Sequence, residues 1–212
     1  MGKTALVIGA SGLVGQQLVS QLLAHPAFEK VRIFVRRTTG LHHPKLDEQI
    51  IDFEQIESWM SLVRGDVLFS ALGTTIKKAK TKENQYRVDF TYQYEFAKAA
   101  SQNGVPAYVL VSSLGANSKS AFFYPRIKGE LDGAVAKLPF QKMIIVRPSI
   151  LDGDRQEKRM TEKFSLLIMR RLTKSFLKKY RPTPVDLLAS RMIQMSLDDV
   201  RYKQIIEGAE LF

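Results

Sequence analysis

The chain has 212 residues, 45% of them hydrophobic, and a formal net charge of +11 at pH 7, which suits one core-bearing domain with a small addition. The absence of cysteine excludes disulfides, thiolate metal sites and cysteine nucleophiles, and the three histidines, His25, His42 and His43, lack ligand spacing. No run approaches about eighteen apolar residues and no basic-then-apolar leader opens the chain, so a soluble, cytoplasmic protein without membrane insertion is expected.

The first apolar run, Thr4 to Ile8, reads as a buried strand by its length and β-branching. It closes on Gly9-Ala-Ser-Gly12-Leu-Val-Gly15, which opens an amphipathic stretch from Leu13 to Leu23. A strand that turns into a helix through glycines lets backbone N–H groups approach a pyrophosphate, and the helix N-terminus favours the phosphates. Gly9, Ser11, Gly12, Leu13, Val14 and Gly15 are therefore the first candidate cofactor residues. The second strand, Val31 to Val35, ends in Arg36 and Arg37, where an acidic residue would grip the ribose 2′-hydroxyl of NAD. Two guanidiniums suit a 2′-phosphate through bidentate, charge-assisted hydrogen bonds, so NADP(H) is expected over NAD(H).

Further strands are expected near 49 to 52, 66 to 71, 107 to 112 and 142 to 146, with helices between most of them. That alternation predicts an α/β fold, a doubly wound parallel sheet of the Rossmann type, with a small C-terminal helical appendage. A cofactor domain over 1–150 and a small substrate or partner region over 151–212, packed on the same domain, follow from this rhythm. In such a sheet ligands bind at the carboxyl ends of the strands, where Gly9, Arg36, Asp52-Phe53, Ala71-Leu72-Gly73 and Ser112-Ser113 all fall.

Tyr124 and Lys128 stand four residues apart in a predicted helix from Phe123 to Lys137, so they share a face one turn apart. The ammonium is expected to lower the phenol's pKa from about 10, so that Tyr124 can exchange a proton with a developing alkoxide, while Lys128 also holds the nicotinamide ribose hydroxyls. A serine from the end of the preceding strand would hydrogen-bond the substrate carbonyl.

Taken in order, GASGLVG, Val35-Arg36-Arg37, Ile51-Asp52-Phe53, Leu72-Gly73-Thr74-Thr75, Arg87-Val88-Asp89, Ser112 to Ala116, Phe123-Tyr124, Lys128-Gly129-Glu130, Arg147-Pro148 and Asp154 to Glu157 followed by Arg159 cover nearly the whole chain. In these motifs it resembles the short-chain dehydrogenase/reductases, within them the atypical group, and most closely the Tat-interacting oxidoreductase branch. The resemblance implies a Rossmann-type domain holding NADP(H), with Tyr124 and Lys128 as the catalytic pair. It implies a serine beside them, Ser113 first and Ser112 second. By the same resemblance Asp52 and Phe53 meet the adenine edge, Leu72 and Gly73 flank the adenosine ribose, and Leu151 and Arg159 lie on the nicotinamide side. Many members carry a relay asparagine where this chain has Asp89; an anionic carboxylate cannot donate, and the alternative is a solvated or helix-capping residue.

After Pro148 only 64 residues remain, less than the substrate domain of extended members of that superfamily. Residues 155–181 hold ten Lys/Arg against two Asp/Glu, with apolar residues at helical spacing. That basic amphipathic stretch either docks with a solvated outer face or meets a protein partner or an anionic surface. A second basic run, Lys77-Lys78-Ala-Lys80-Thr-Lys82, follows the fourth strand and either folds over the cofactor phosphates or receives an anionic substrate. No pattern of specific nucleic-acid binding appears. The leading expectation is an NADP(H)-dependent oxidoreductase acting on a small carbonyl or enone substrate. Two alternatives remain: an NADP(H)-binding sensor that acts through a protein partner with little turnover, and a polyanion or membrane-surface adaptor.

Overall fold

The computed structural model describes residues 2–152, 182–198 and 202–211. Its main strands are β1 (Lys3–Ile8), β2 (Phe28–Val35), β3 (Leu46–Ile50), β4 (Val67–Ser70), β5 (Ala107–Val111), β6 (Lys142–Arg147) and β9 (Lys203–Glu207), with short β7 (Leu151–Asp152) and β8 (Thr183–Pro184). Described helices are α1 (Leu13–Ala24), α2 (Ile56–Trp59), α3 (Ile76–Ala79), α4 (Lys82–Tyr86), α5 (Tyr92–Gln102), α6 (Phe123–Val135) and α7 (Val185–Leu197). The seven longer strands form one parallel sheet in the order β3-β2-β1-β4-β5-β6-β9. Strand order reverses between β1 and β4, and the crevice for a ligand opens there, beyond the strands' carboxyl ends.

Both faces of the sheet are covered, which is why its strands read as continuous apolar runs. Along β1, Ala5 and Val7 enter one core with Val14, Leu18 and Leu22 of α1 and with Leu188 and Met192 of α7. Leu6 and Ile8 enter the other core with Trp59, Phe96, Leu131 and Val135. Trp59 stacks on Phe96, with ring centroids 4.0 Å apart and planes 7° apart. Its Nε1 donates to Asp52 O at 3.1 Å, so the second core also pins the loop that follows β3.

The C-terminal residues do more than cap the domain. Helix α7 packs on α1 through a shared core, and Gln21 Nε2 donates to Asp186 O at 2.9 Å. β9, which periodicity did not predict, extends the sheet beyond β6. As an edge strand its first three residues, Lys203, Gln204 and Ile205, are exposed, and they erase the apolar signature of a buried strand. No described helix is long and apolar enough to cross a membrane.

Candidate active site

The glycine turn is shaped by contacts that exclude side chains. Gly9 has φ +83°, and a Cβ there would lie 2.4 Å from the Ala71 backbone carbon. A Cβ on Gly15 would lie 2.0 Å from Gly9 O, so α1 can start this close to β1 only with glycine at that position. Gly12 N donates to Gly9 O at 2.9 Å, closing the turn. No side chain caps α1, which leaves its first N–H groups facing the cavity that Ser11, Gly12, Leu13 and Val14 line. A turn without Cβ atoms, set before an uncapped helix, fits a diphosphate.

That cavity, of about 830 Å³, runs from the glycine turn past Ala71, Leu72 and Gly73 to Ser112, Tyr124, Lys128 and Leu151. A second, of about 1060 Å³, shares Ser11 and Gln16 with it and holds Arg36, Arg37, Thr38 and Thr39, with no carboxylate among the described residues that line it. Glu48 accepts from Thr38 Oγ1 at 2.7 Å and from Thr39 N at 2.8 Å. The two cavities therefore adjoin as one groove, with guanidiniums in one part and the Tyr/Lys pair in the other.

Tyr124 lies in the first turn of α6 and is 40% exposed, whereas Lys128, one turn on, is 3% exposed. Lys128 Nζ donates to Val111 O at 3.2 Å and stands 3.9 Å from Asp89 Oδ1. Asp89 is wholly buried, which removes the solvated reading. It sits in a π-helical turn, Arg87–Thr91, inserted between α4 and α5, and such turns occur often at functional sites. Its carboxylate oxygens make no hydrogen bond of good geometry among the described residues, although the Thr74 N–H and the Gln85 side chain face them and favour the charged form. Burial raises its pKa, opposed by the nearby Lys128 ammonium. When protonated, its carboxyl can donate as the expected asparagine would.

The serines are placed differently from the expectation. Ser112 is buried, and its Oγ donates to Asp132 Oδ2 at 3.0 Å. Arg147 holds the same carboxylate oxygen through Nε at 3.0 Å and Nη2 at 2.9 Å. Ser113 donates to Leu114 O at 3.4 Å and does not line the cavity. Asp52 and Phe53 line neither cavity. The Phe53 ring is turned into the core, 5.5 Å from Phe96 and 5.4 Å from Tyr92 by centroids, while Asp52 Oδ1 accepts from Glu54 N at 3.0 Å in a local turn. Arg159 and the basic stretch 155–181 lie outside the described residues. Thr74, Thr75, Ile76, Gln85 and Phe123 line the cavity without having been singled out. Only the Leu72-Gly73-Thr74-Thr75 motif and Phe123's place beside Tyr124 pointed toward them.

The comparisons with known proteins agree with this geometry. The NAD(P)H-binding family matches residues 9–164. A Scheffersomyces stipitis protein named FMP52-1, mitochondrial, is 34% identical over 192 residues, 88% of this chain and 81% of its own. A Candida glabrata protein named FMP52, mitochondrial, is 42% identical over 158 residues, 73% of this chain and 66% of its own. Among solved structures, the Bordetella bronchiseptica enzyme WbmH in complex with NAD+ superposes with a TM-score of 0.74 at 15% identity, covering 98% of this chain and 76% of that one. A Bacillus anthracis dTDP-4-dehydrorhamnose reductase in complex with NADP gives 0.68 at 17% identity, over 98% and 75%. These two likenesses show the fold alone. The mitochondrial names of the fungal relatives overturn the expectation of a cytoplasmic protein. That expectation rested on the absence of a basic-then-apolar leader and of a long apolar run, neither of which separates the cytosol from an organelle interior. The glycine turn, the parallel sheet and the family match agree: the chain belongs to the NAD(P)H-binding family and has a Rossmann-type fold.

Proposed function

We propose that this protein is an NADP(H)-dependent oxidoreductase that acts on a small carbonyl or enone compound, with Tyr124 as proton donor and acceptor. The observation that carries the reading is the groove that joins the glycine turn to Tyr124 and Lys128, with Arg36 and Arg37 at its far end. When bound, the nicotinamide supplies or accepts the hydride. The backbone from Ser11 to Leu13 would hold the diphosphate, and Arg36 and Arg37 the 2′-phosphate. Lys128, which donates to Val111 O, stands one helical turn from Tyr124, and Tyr124 would pass its proton to a developing alkoxide. The mitochondrial names of the relatives extend to this chain as part of the proposal.

A second reading, a nucleotide-binding regulator with little turnover, is favoured by one observation. The Ser112 hydroxyl is committed to Asp132 and that of Ser113 to Leu114 O, so neither serine of the expected pair has its proton free for a carbonyl.

Fluorescence titration with NADPH and NADH tests the cofactor assignment. The native chain is expected to prefer NADPH, and the double variant Arg36→Ala with Arg37→Ala to lose about 10- to 100-fold of that preference, the value of one or two charge-assisted hydrogen bonds. An unchanged NADPH to NADH ratio would remove the 2′-phosphate assignment. Consumption of NADPH over a panel of aldehydes, ketones, quinones and enones then separates the two readings.

A further inference from the structure

We propose that the substrate is a carbonyl compound bearing an anionic group, a carboxylate or a phosphate, which Lys82 receives at the rim of the cavity while the body of the molecule lies along Phe123. The inference rests on the oxidoreductase reading and names the substrate class of the same site.

Among the described residues three cations, Lys78, Lys82 and Lys128, line the cavity, and no Asp or Glu does. A cleft lined by one sign of charge concentrates ligands of the other sign. Lys128 is buried and engaged with Val111 O and Asp89. Lys82 is exposed, its Nζ 5.5 Å from the centre of the Phe123 ring. Phe123 and Ile76 add apolar surface to the cavity that holds Tyr124. A ligand with an apolar body, its carbonyl toward Tyr124 and its acid toward Lys82, matches that lining in shape and in charge.

The backbone that carries these lysines is pinned. Thr75 and Thr81 cap α3 and α4 by accepting from Lys78 N and Asn84 N at 3.3 and 3.1 Å. Asn84 Nδ2 donates to Ala79 O at 3.1 Å across the turn between them, where Lys80 takes φ +70°. The cofactor phosphates have other donors, in the turn at Ser11 to Leu13 and in Arg36 and Arg37, so charge at Lys82 is available to a second ligand.

The test titrates the full chain, saturated with NADP+, with benzoate, with its neutral isostere benzamide and with phenyl phosphate, followed by protein NMR. One of the anions is expected to bind about tenfold or more tightly than benzamide, the worth of a charge-assisted contact. Lys82→Ala should remove that preference while NADP+ affinity changes less than about twofold. The tighter of the two anions tells carboxylate from phosphate. Equal binding of benzamide and the anions overturns the proposal, as does binding of none of the three. It is also overturned if the preference survives in Lys82→Ala, or if that variant weakens NADP+ itself about tenfold, which would give the lysine to the cofactor. Tight NADP+ binding without anion preference would leave the oxidoreductase reading standing. A chain that binds no NADP+ would lose both.

Discussion

Tyr124→Phe is expected to bind NADPH as the native chain does and to lower turnover by about 10²- to 10⁴-fold, the range for a lost general acid. The two effects separate because of where the residue lies. Tyr124 is 40% exposed in the first turn of α6, so removing one oxygen costs little packing, and the ring still walls the cavity. What would disappear is the proton proposed to reach the alkoxide, and the hydroxyls of Ser112 and Ser113 are engaged by Asp132 and Leu114 O. Melting temperature and NADPH fluorescence serve as controls, and NADPH consumption on the best substrate of the panel is the readout. If affinity fell together with turnover, Tyr124 would be a wall of the cofactor site and not its acid. If turnover did not change, the proton would come from another group, and Asp89, buried beside Lys128, would be the next to test.

Local spacing made much of this site legible. A glycine turn between a strand and a helix occupies seven consecutive residues, and Tyr124 and Lys128 are one helical turn apart, so a linear reading places both. Contacts between distant segments are not written that way. The Ser112 hydroxyl is engaged by Asp132, twenty residues on in α6, and Arg147 at the end of β6 holds the same carboxylate. Nothing in the Ser112-Ser113 pair itself announces that. Phe53 misled for a similar reason: its place after β3 suits an adenine contact, but an aromatic cluster built from α2 and α5 draws its ring into the core. Asp89 reads as an ordinary polar position in a helix, and only the π-helical turn, with Lys128 arriving from α6, buries it.

The sheet followed the same division. Central strands read as apolar runs because helices cover both their faces, and their predicted places agree with β1, β4, β5 and β6 to within a residue or so. β2 begins at Phe28, earlier than its apolar run, because Glu29 and Lys30 are exposed at the start of the strand. β9 was hidden by the exposure of its first three residues at the edge. Compartment was not legible at all, since it does not depend on how the core packs.

Gly15→Ala is expected to strike stability and cofactor binding together. The added methyl would stand 2.0 Å from Gly9 O, 2.7 Å from Gly9 C and 2.9 Å from Ala10 Cα, all of them backbone atoms that cannot rotate away. Relief requires α1 to withdraw from the turn, which moves the N–H groups at Ser11 and Leu13 that would meet the diphosphate and opens the packing of α1 on α7. Overpacking of this kind costs about 1–3 kcal/mol or more, equivalent to a fall in Tm of about 3–10 °C for a chain of this size. NADPH affinity should fall by at least about tenfold, because displaced donors no longer converge on one phosphate. Gly133→Ala supplies the opposite sign. That glycine lies within α6 with nothing near its missing Cβ, so alanine there should stabilise by about 0.5–1 kcal/mol through helix propensity alone. Thermal melts and NADPH titrations of the two variants check both expectations. If Gly15→Ala kept native affinity for NADPH, the diphosphate would not sit on this turn, and the groove would have to be read from its other end, at Arg36 and Arg37.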